Sequence, residues 1–568
     1  MSNADRRPYL TATVLDQDFL NAAHDNLENQ LELIVDIETP TGFIRASDRP
    51  KYVDGVYYDN RLKFPLISRT VGEWLSTEIE FSVLKLELNN SDGEYDEFLP
   101  GGASYGGFIG KDVTVKLGLR DVGTTYTTIF KGRISDVGGF ARTQRSIIVT
   151  ARDDYEKLTV EFPTTVLNAT NFPNISDEVA GLVAPVVYGD WTTAGNPQTS
   201  NASVPAYVVN ANASLGTPAT RIELFISEND LTSLDTSGVW LQRGDTFYNI
   251  DSADVDTGFY ANVRQFRLIQ DSGNTSIEGS NFVLEEGDLF FVKCVGKDLS
   301  PYSDNIVWQV RDILMTHASV TAGEFDANWA TFRDKASPAE SSISTIKSRV
   351  WIQEPESVLQ FVLSMLEQVR LEMFIDRNLK LKLNSLHFDD FVASPTFRVT
   401  NFDTEAKSLR PSLDTRNNFN RAQEVYNFLP DRNENAFRTS KYRNSAAITQ
   451  QKQEISKQIT FPNLYVLSDV TNQLQEIIKL ASAAYEHVHL NLTWRSLLLD
   501  IGDFVFLDVK IGSTIYDSIP CSIREIGYDP EGIKLPVRLW SFQVVPFPGF
   551  AGASGSVGGQ TATITEET

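Results

Sequence analysis

GKDVTVKLGL, Gly110 to Leu119, and GDFVFLDVKI, Gly502 to Ile511, carry the decisive pattern of this 568-residue chain. In each, glycine and an acidic residue open a run of β-branched and apolar residues alternating with polar or aromatic ones, the period of a strand. Each is followed by a second strand-like run, TTIFKGRISDVGGF (Thr127 to Phe140) and SIPCSIREIGYDP (Ser518 to Pro530), and then by a third, RSIIVTARD (Arg145 to Asp153) and GIKLPVRLW (Gly532 to Trp540). The repetition reads as one antiparallel β plan used twice, against the alternative of two unrelated β domains. On the first reading Gly110, Asp112, Val113, Val115 and Leu117 start a strand equivalent to one begun by Gly502, Asp503, Phe504, Val505 and Phe506.

Outward from these stretches the chain divides into five parts. Residues 1–165 read as a β-barrel domain with an irregular N-terminal arm; SVLKLEL places Leu84, Leu86 and Leu88 on one strand face and Lys85 and Glu87 on the other. Residues 166–300 are rich in Asn, Thr, Ser and Gly and form an inserted, loop-rich β module containing APVVYGDW and GDLFFVKCVG. Residues 301–390 are a small α+β domain. There Ile306, Val310, Ile313, Leu314 and His317 recur at helical spacing, Pro355 suits the first turn of a second helix, and LEMFIDRNLKLKLN is a hairpin turning at Asp376-Arg377-Asn378. Residues 391–545 are a second β-barrel domain with one helix, capped by Ser468. Residues 546–568 are a flexible Gly-rich tail. The fold class is mainly β with a smaller α+β part, multidomain.

Composition narrows the chemistry. With 50 Lys+Arg against 75 Asp+Glu, the net charge of −25 repels phosphate backbones and anionic lipid, which argues against a specific nucleic-acid reader. Cys294 and Cys521 are too few for a disulfide framework or a four-thiolate zinc site. The opening MSNADRRPYL lacks the pattern of a secretory signal, and no apolar run approaches the 18 or so residues of a spanning helix, so no membrane insertion is expected.

The order of modules resembles the baseplate hub proteins of tailed bacteriophages. The likeness lies in FKGRISDV and IIVTARDDYEKL, then VAPVVYGDW, then NIVWQVRDIL with EPESVLQFVLSMLEQVRLEMFIDRNLKLKLN, then LLLDIGDFVFLDV and a late strand ending at Trp540, and it covers most of residues 31–545. The resemblance implies a homotrimer whose two barrels per chain make six around a ring, joining a sixfold tail tube or distal tail protein to a threefold spike or fibre. It further implies a tape measure protein and the genome passing through without specific binding, a place in the virion after assembly in the host cytoplasm, and no catalysis or cofactor. Two other classes stay open: a receptor-binding or glycan-binding tail protein using the 166–300 module, and a cell-wall hydrolase.

Individual sites are weak beside that organisation. The chain has no phosphate-binding GxxxxGK[ST] loop and no HExxH helix. His487 and His489, with Asn491 beyond, share a strand face but lack further local ligands, and His317 reads as a core or boundary residue. Two acidic groups, Asp92, Glu94, Asp96 and Glu97, and Asp251, Asp254 and Asp256, offer oxygen donors without the twelve-residue calcium-loop pattern, and solvated turns are the favoured reading. GGASYGGFIG (Gly101 to Gly110) reads as a flexible loop, and exposed Trp191, Trp240 or Tyr248 could stack on sugar rings, although core packing is the commoner fate. No catalytic, cofactor or metal site is assigned.

Overall fold

In a computed structural model the structure describes residues 31–71, 82–119, 126–140, 145–153, 156–192, 203–210, 221–258, 263–269, 284–334, 345–386, 397–405, 408–414, 418–430, 434–482, 485–493, 496, 499–511, 514–528, 534–541 and 564–566. The N-terminal arm and most of the Gly-rich tail lie outside these residues.

The described residues are mainly β, and their three largest hydrophobic clusters form the principal cores. The first gathers two strand groups far apart in sequence, from Leu33 to Ala151 and from Phe397 to Leu539. The N-terminal group contains β1 (Leu31–Thr39), β2 (Leu62–Thr70), β3 (Val83–Asn89), β4 (Asp112–Leu119), β5 (Tyr126–Phe140) and β6 (Ser146–Arg152). Its C-terminal counterpart contains β7 (Phe397–Thr400), β8 (Arg410–Asp414), β9 (Tyr485–Leu492), β10 (Phe504–Ile511), β11 (Thr514–Tyr528) and β12 (Leu535–Ser541).

Both groups have the same spatial order: β2-β3-β6-β5-β4-β1 in the first and β8-β9-β12-β11-β10-β7 in the second. Four of the five pairings are antiparallel in both. The fifth keeps its neighbours but changes sense, β1 running antiparallel to β4 and β7 parallel to β10. Two irregularities coincide as well, whereas the β2–β3 slip between Lys63 and Leu66 has no counterpart in β8–β9. The β4–β5 register slips after Val115 and the β10–β11 register after Leu507, while β5–β6 slips after Ile134 and β11–β12 after Ile523. A bulge adds a residue and bends a strand, so matched bulges give the two groups matched bends. Among the described residues neither path closes through hydrogen bonds, and each group is an open half-barrel.

The second core holds the three longest helices among the described residues, Ile306–His317, Val358–Glu367 and Leu467–Ala481. Asn305 caps the first, its side chain accepting from the Trp308 N–H at 3.1 Å. The second begins at Val358, after a two-residue strand at Glu356–Ser357, so Pro355 precedes the helix rather than occupying its first turn. The Glu356–Ser357 backbone is pinned to Glu161–Phe162, which holds it extended through the point where a proline-led turn would begin. The third helix lies between half-barrel strands in sequence, yet its apolar stripe of Val470, Leu474, Ile477, Ile478 and Ala481 packs into this second core. Its N-cap is Val466, without a side-chain cap, and Ser468 sits inside the first turn. The hairpin Leu371–Ile375 with Leu381–Ser385 turns through Asp376 to Lys380.

The third core belongs to a seven-stranded sheet between Val204 and Lys297. Strand Val186–Tyr188 pairs with Val350–Ile352 and ties that sheet to the helical body. At the far end of the chain, Thr565–Glu566 pairs with Tyr442–Arg443.

Candidate assembly site at the junction of the half-barrels

The two glycines sit in the same local geometry. Gly110 has φ +81° and Gly502 φ +77°, a region that L side chains seldom enter. The Gly110 N–H donates to Ile134 O at 2.8 Å and the Ile134 N–H returns a bond to Lys111 O at 2.9 Å. The Gly502 N–H donates to Ile523 O at 2.8 Å and the Ile523 N–H returns one to Asp503 O at 3.0 Å. From these anchors Val113, Val115 and Leu117 point into the core, and so do Val505, Leu507 and Val509. Phe504 and Phe506 take the half-buried positions between them.

The acidic residues are not equivalent. Asp112 stands two places after its glycine, exposed, and pairs with Arg133 at 3.3 Å. Asp503 stands one place after its glycine, where burial and then the neighbouring Asp500 charge push its carboxyl up to about 6. The glycines differ in surroundings too. A Cβ on Gly110 would meet nothing within 4 Å, whereas one on Gly502 would collide with the Phe374 ring.

Phe374 marks the place where three parts of the chain converge. Strand β11 extends past β10 and pairs with β2, setting Glu525, Ile526, Gly527 and Tyr528 opposite Thr70, Arg69, Ser68 and Ile67. The Val71 N–H donates to Arg524 O at 2.8 Å just beyond. One continuous strand path thereby crosses from one half-barrel to the other. Behind it, buried Arg69 forms an ion pair with buried Asp500 and donates to Ile375 O at 2.7 Å. Asp500 also accepts the N–H groups of Arg377 at 2.9 Å and Ile501 at 2.8 Å, with the Arg377 guanidinium 3.6 Å away. Burial raises the Asp500 carboxyl, but Arg69 and Arg377 outweigh it and hold it below the usual carboxylate range. Arg524 donates to both oxygens of Glu372 at 2.8 and 2.7 Å, and Asn384 donates to Gly502 O at 3.0 Å. The hairpin therefore clamps both half-barrels, because buried charges of this kind persist only when paired and hydrogen-bonded.

Arg69, Asp500, Arg524 and Glu372 are not singled out in the sequence reading, and Arg377 enters it only as a turn residue. Arg69 and Asp500 are separated by 431 residues, and no local spacing announces them.

The other sequence candidates occupy ordinary structural roles. His489 lies in register between Arg410 and Arg538, a poor setting for a cation, and His487 lies opposite Trp540. Arg61 engages Asp92 at 2.9 and 2.7 Å and Glu94 at 2.5 Å, holding the Asp92 carboxyl down at about 2, while Asp96 accepts from Asn90. Asp251 caps a short turn and Asp256 pairs with Arg267 at 2.5 Å. His317 packs beside the Phe162 ring, and burial lowers its pKa. GGASYGGFIG contains a one-turn helix, Tyr105–Phe108, because Phe108 is buried in the half-barrel core and anchors the segment. Trp191 is buried, with its ring under Arg349 and its N–H on Tyr188 O, and so presents no face to a sugar; Trp240 and Tyr248 are half-buried. Cys294 and Cys521 are free, buried thiols whose pKa burial pushes up.

No protein-family model and no curated protein matches the sequence. Solved structures do match. A prophage MuSo2 43 kDa tail protein from Shewanella oneidensis aligns at TM-score 0.39 and 10% identity, over 90% of this chain and 98% of that one. A tail protein from Neisseria meningitidis aligns at 0.38 and 9%, over 90% and 96%. The chain is similar to phage tail proteins. A third match, at 0.30 and 7% over 93% and 76%, is an E. coli component of the type VI secretion system described as similar to the T4 bacteriophage tail proteins gp27 and gp5. Among the described residues no helix is long and apolar enough to cross a membrane.

Proposed function

We propose that the chain is a structural virion protein, the trimeric baseplate hub of a phage tail, without enzymatic activity. The observation that carries this reading is the repeated half-barrel: one strand order, one pair of bulges and one glycine anchor, each used twice in a single polypeptide and joined edge to strand. A protein with two such units per chain turns a threefold assembly into a ring of six similar units, which matches a sixfold tail tube or distal tail protein on one side and a threefold spike or fibre on the other. The tape measure protein and the genome would pass through the ring. Three copies, each with net charge −25, would present a surface that repels DNA phosphates and lets the duplex slide without binding. The reading places the protein in the virion after assembly in the host cytoplasm, and it needs no cofactor.

The test is the mass of the purified chain in solution over a range of concentrations. The reading expects a species near three times 63.4 kDa. A chain that stays monomeric at the highest attainable concentration, and that forms no ring when mixed with tail tubes, would overturn it.

A further inference from the structure

The junction inside the chain joins an edge to a strand, and each half of that junction has an unpaired counterpart in the other half-barrel. An unbroken row of paired residues fixes the correspondence. In the first half-barrel Ile134 lies beside Ala151, Ala151 beside Leu84, and Leu84 beside Ile67. In the second Ile523 lies beside Leu539, Leu539 beside Val488, and Val488 beside Pro411. Pro411 and Ser412 of β8 thus take the places of Ile67 and Ser68 of β2. Counted from the two isoleucines, Asp136 to Gly139 of β5 take the places of Glu525 to Tyr528 of β11.

Within the chain, β2 uses its outer edge to pair with β11. Among the described residues β8 pairs only with β9, and Asp136 to Gly139 pair only with β6, so both equivalent surfaces are open. The glycines agree. A Cβ on Gly527 would meet Pro536 Cγ of β12 at 2.9 Å and Ile67 O of the docked strand at 3.7 Å, whereas a Cβ on Gly138 would meet nothing within 4 Å. Pro411 also fits an edge. Its missing N–H faces away from β9, which leaves the Leu413 N–H and the outward carbonyls to pair and blunts the edge against indiscriminate partners. One open surface is on β8, the end strand of the path, and the other is on β5 of the first half-barrel, seven strands along it.

We propose that β8 of one copy pairs antiparallel with Asp136 to Gly139 of β5 in a second copy, setting Ser412 opposite Gly138 and repeating between chains the junction found within each. This rests on the hub reading above and specifies the surface by which copies meet. The same register sets Asp414 opposite Asp136.

Paired cysteines test the register. Ser412 and Gly138 correspond to Ser68 and Gly527, which lie between the hydrogen-bonded positions of the inner junction, where antiparallel side chains approach most closely. The double variant Ser412→Cys with Gly138→Cys, oxidised at the concentration where the parent is trimeric, should give disulfide-linked dimers and trimers on a non-reducing gel. Each single variant should not. Leu413→Pro, which removes the remaining outward N–H, should melt like the parent and lose the trimer. A trimer without linkage, or a link formed within one chain, would overturn this pairing and leave the hub reading standing. A parent that never forms trimers would overturn both.

Discussion

Gly110 and Gly502 share a backbone conformation and differ in what surrounds them, so substitution separates the two requirements. Gly110→Ala meets only the strain of φ +81° and should cost about 1–2 kcal/mol. Gly502→Ala adds a collision with the Phe374 ring and should cost roughly 2–5 kcal/mol. Phe374→Ala opens that space, so Gly502→Ala should cost less in its presence; denaturation midpoints of the single and double variants measure the coupling, and strictly additive shifts would contradict the contact. Acid titration gives a second residue-scale test. Asp503 and Asp153 are both pushed up to about 6, chiefly by burial. The folded form then holds more protons than the unfolded form between roughly pH 4 and 6, so these carboxyls make stability fall as pH rises through that window. Asp500 has the opposite sign: its contribution is present above the ordinary carboxylate range and is lost as pH falls below it. Asp503 faces Asp500, Arg377 and Lys382. Asp503→Asn should therefore shrink the drop in melting temperature between pH 5 and 7, and an unchanged drop would show that Asp503 is not strained by its burial.

Strands and helices were legible wherever burial enforces a period. Leu84, Leu86 and Leu88 alternate in sequence and in burial, and the stripe from Val470 to Ala481 is apolar at helical spacing because that face is the buried one. Helix starts were less legible. Pro355 and Ser468 carry the right chemistry for a first turn and a cap, but pairing of Glu356–Ser357 with Glu161–Phe162 and the path into Val466 decide where the helices begin. An uncapped start has a measurable consequence: Val466→Ser gives the first turn an acceptor and should stabilise the protein by about 1 kcal/mol, seen as a higher melting temperature, whereas no change would mean the end is already satisfied. The junction was not legible at all. Its ion pairs join residues hundreds of positions apart, and the matching acidic residues that the sequence suggested, Asp112 and Asp503, stand in different places beside their glycines.

At the scale of the whole molecule, the hairpin, the Arg69–Asp500–Arg377 cluster and the β2–β11 pairing hold two like units at one fixed relation. Asp500→Asn leaves two arginines facing a neutral group; losing a buried partner costs about 3–5 kcal/mol, and the variant should loosen that relation before either half-barrel unfolds. The central claim is that six like units surround one axis, and a three-dimensional image of the assembled ring tests it most directly. The account predicts first and second half-barrels alternating at nearly equal angular spacing, every contact an edge laid on the extended end of a β5 or β11 strand. A ring whose first half-barrels touch only one another, or one with no sixfold modulation at the radius of the sheets, would contradict it.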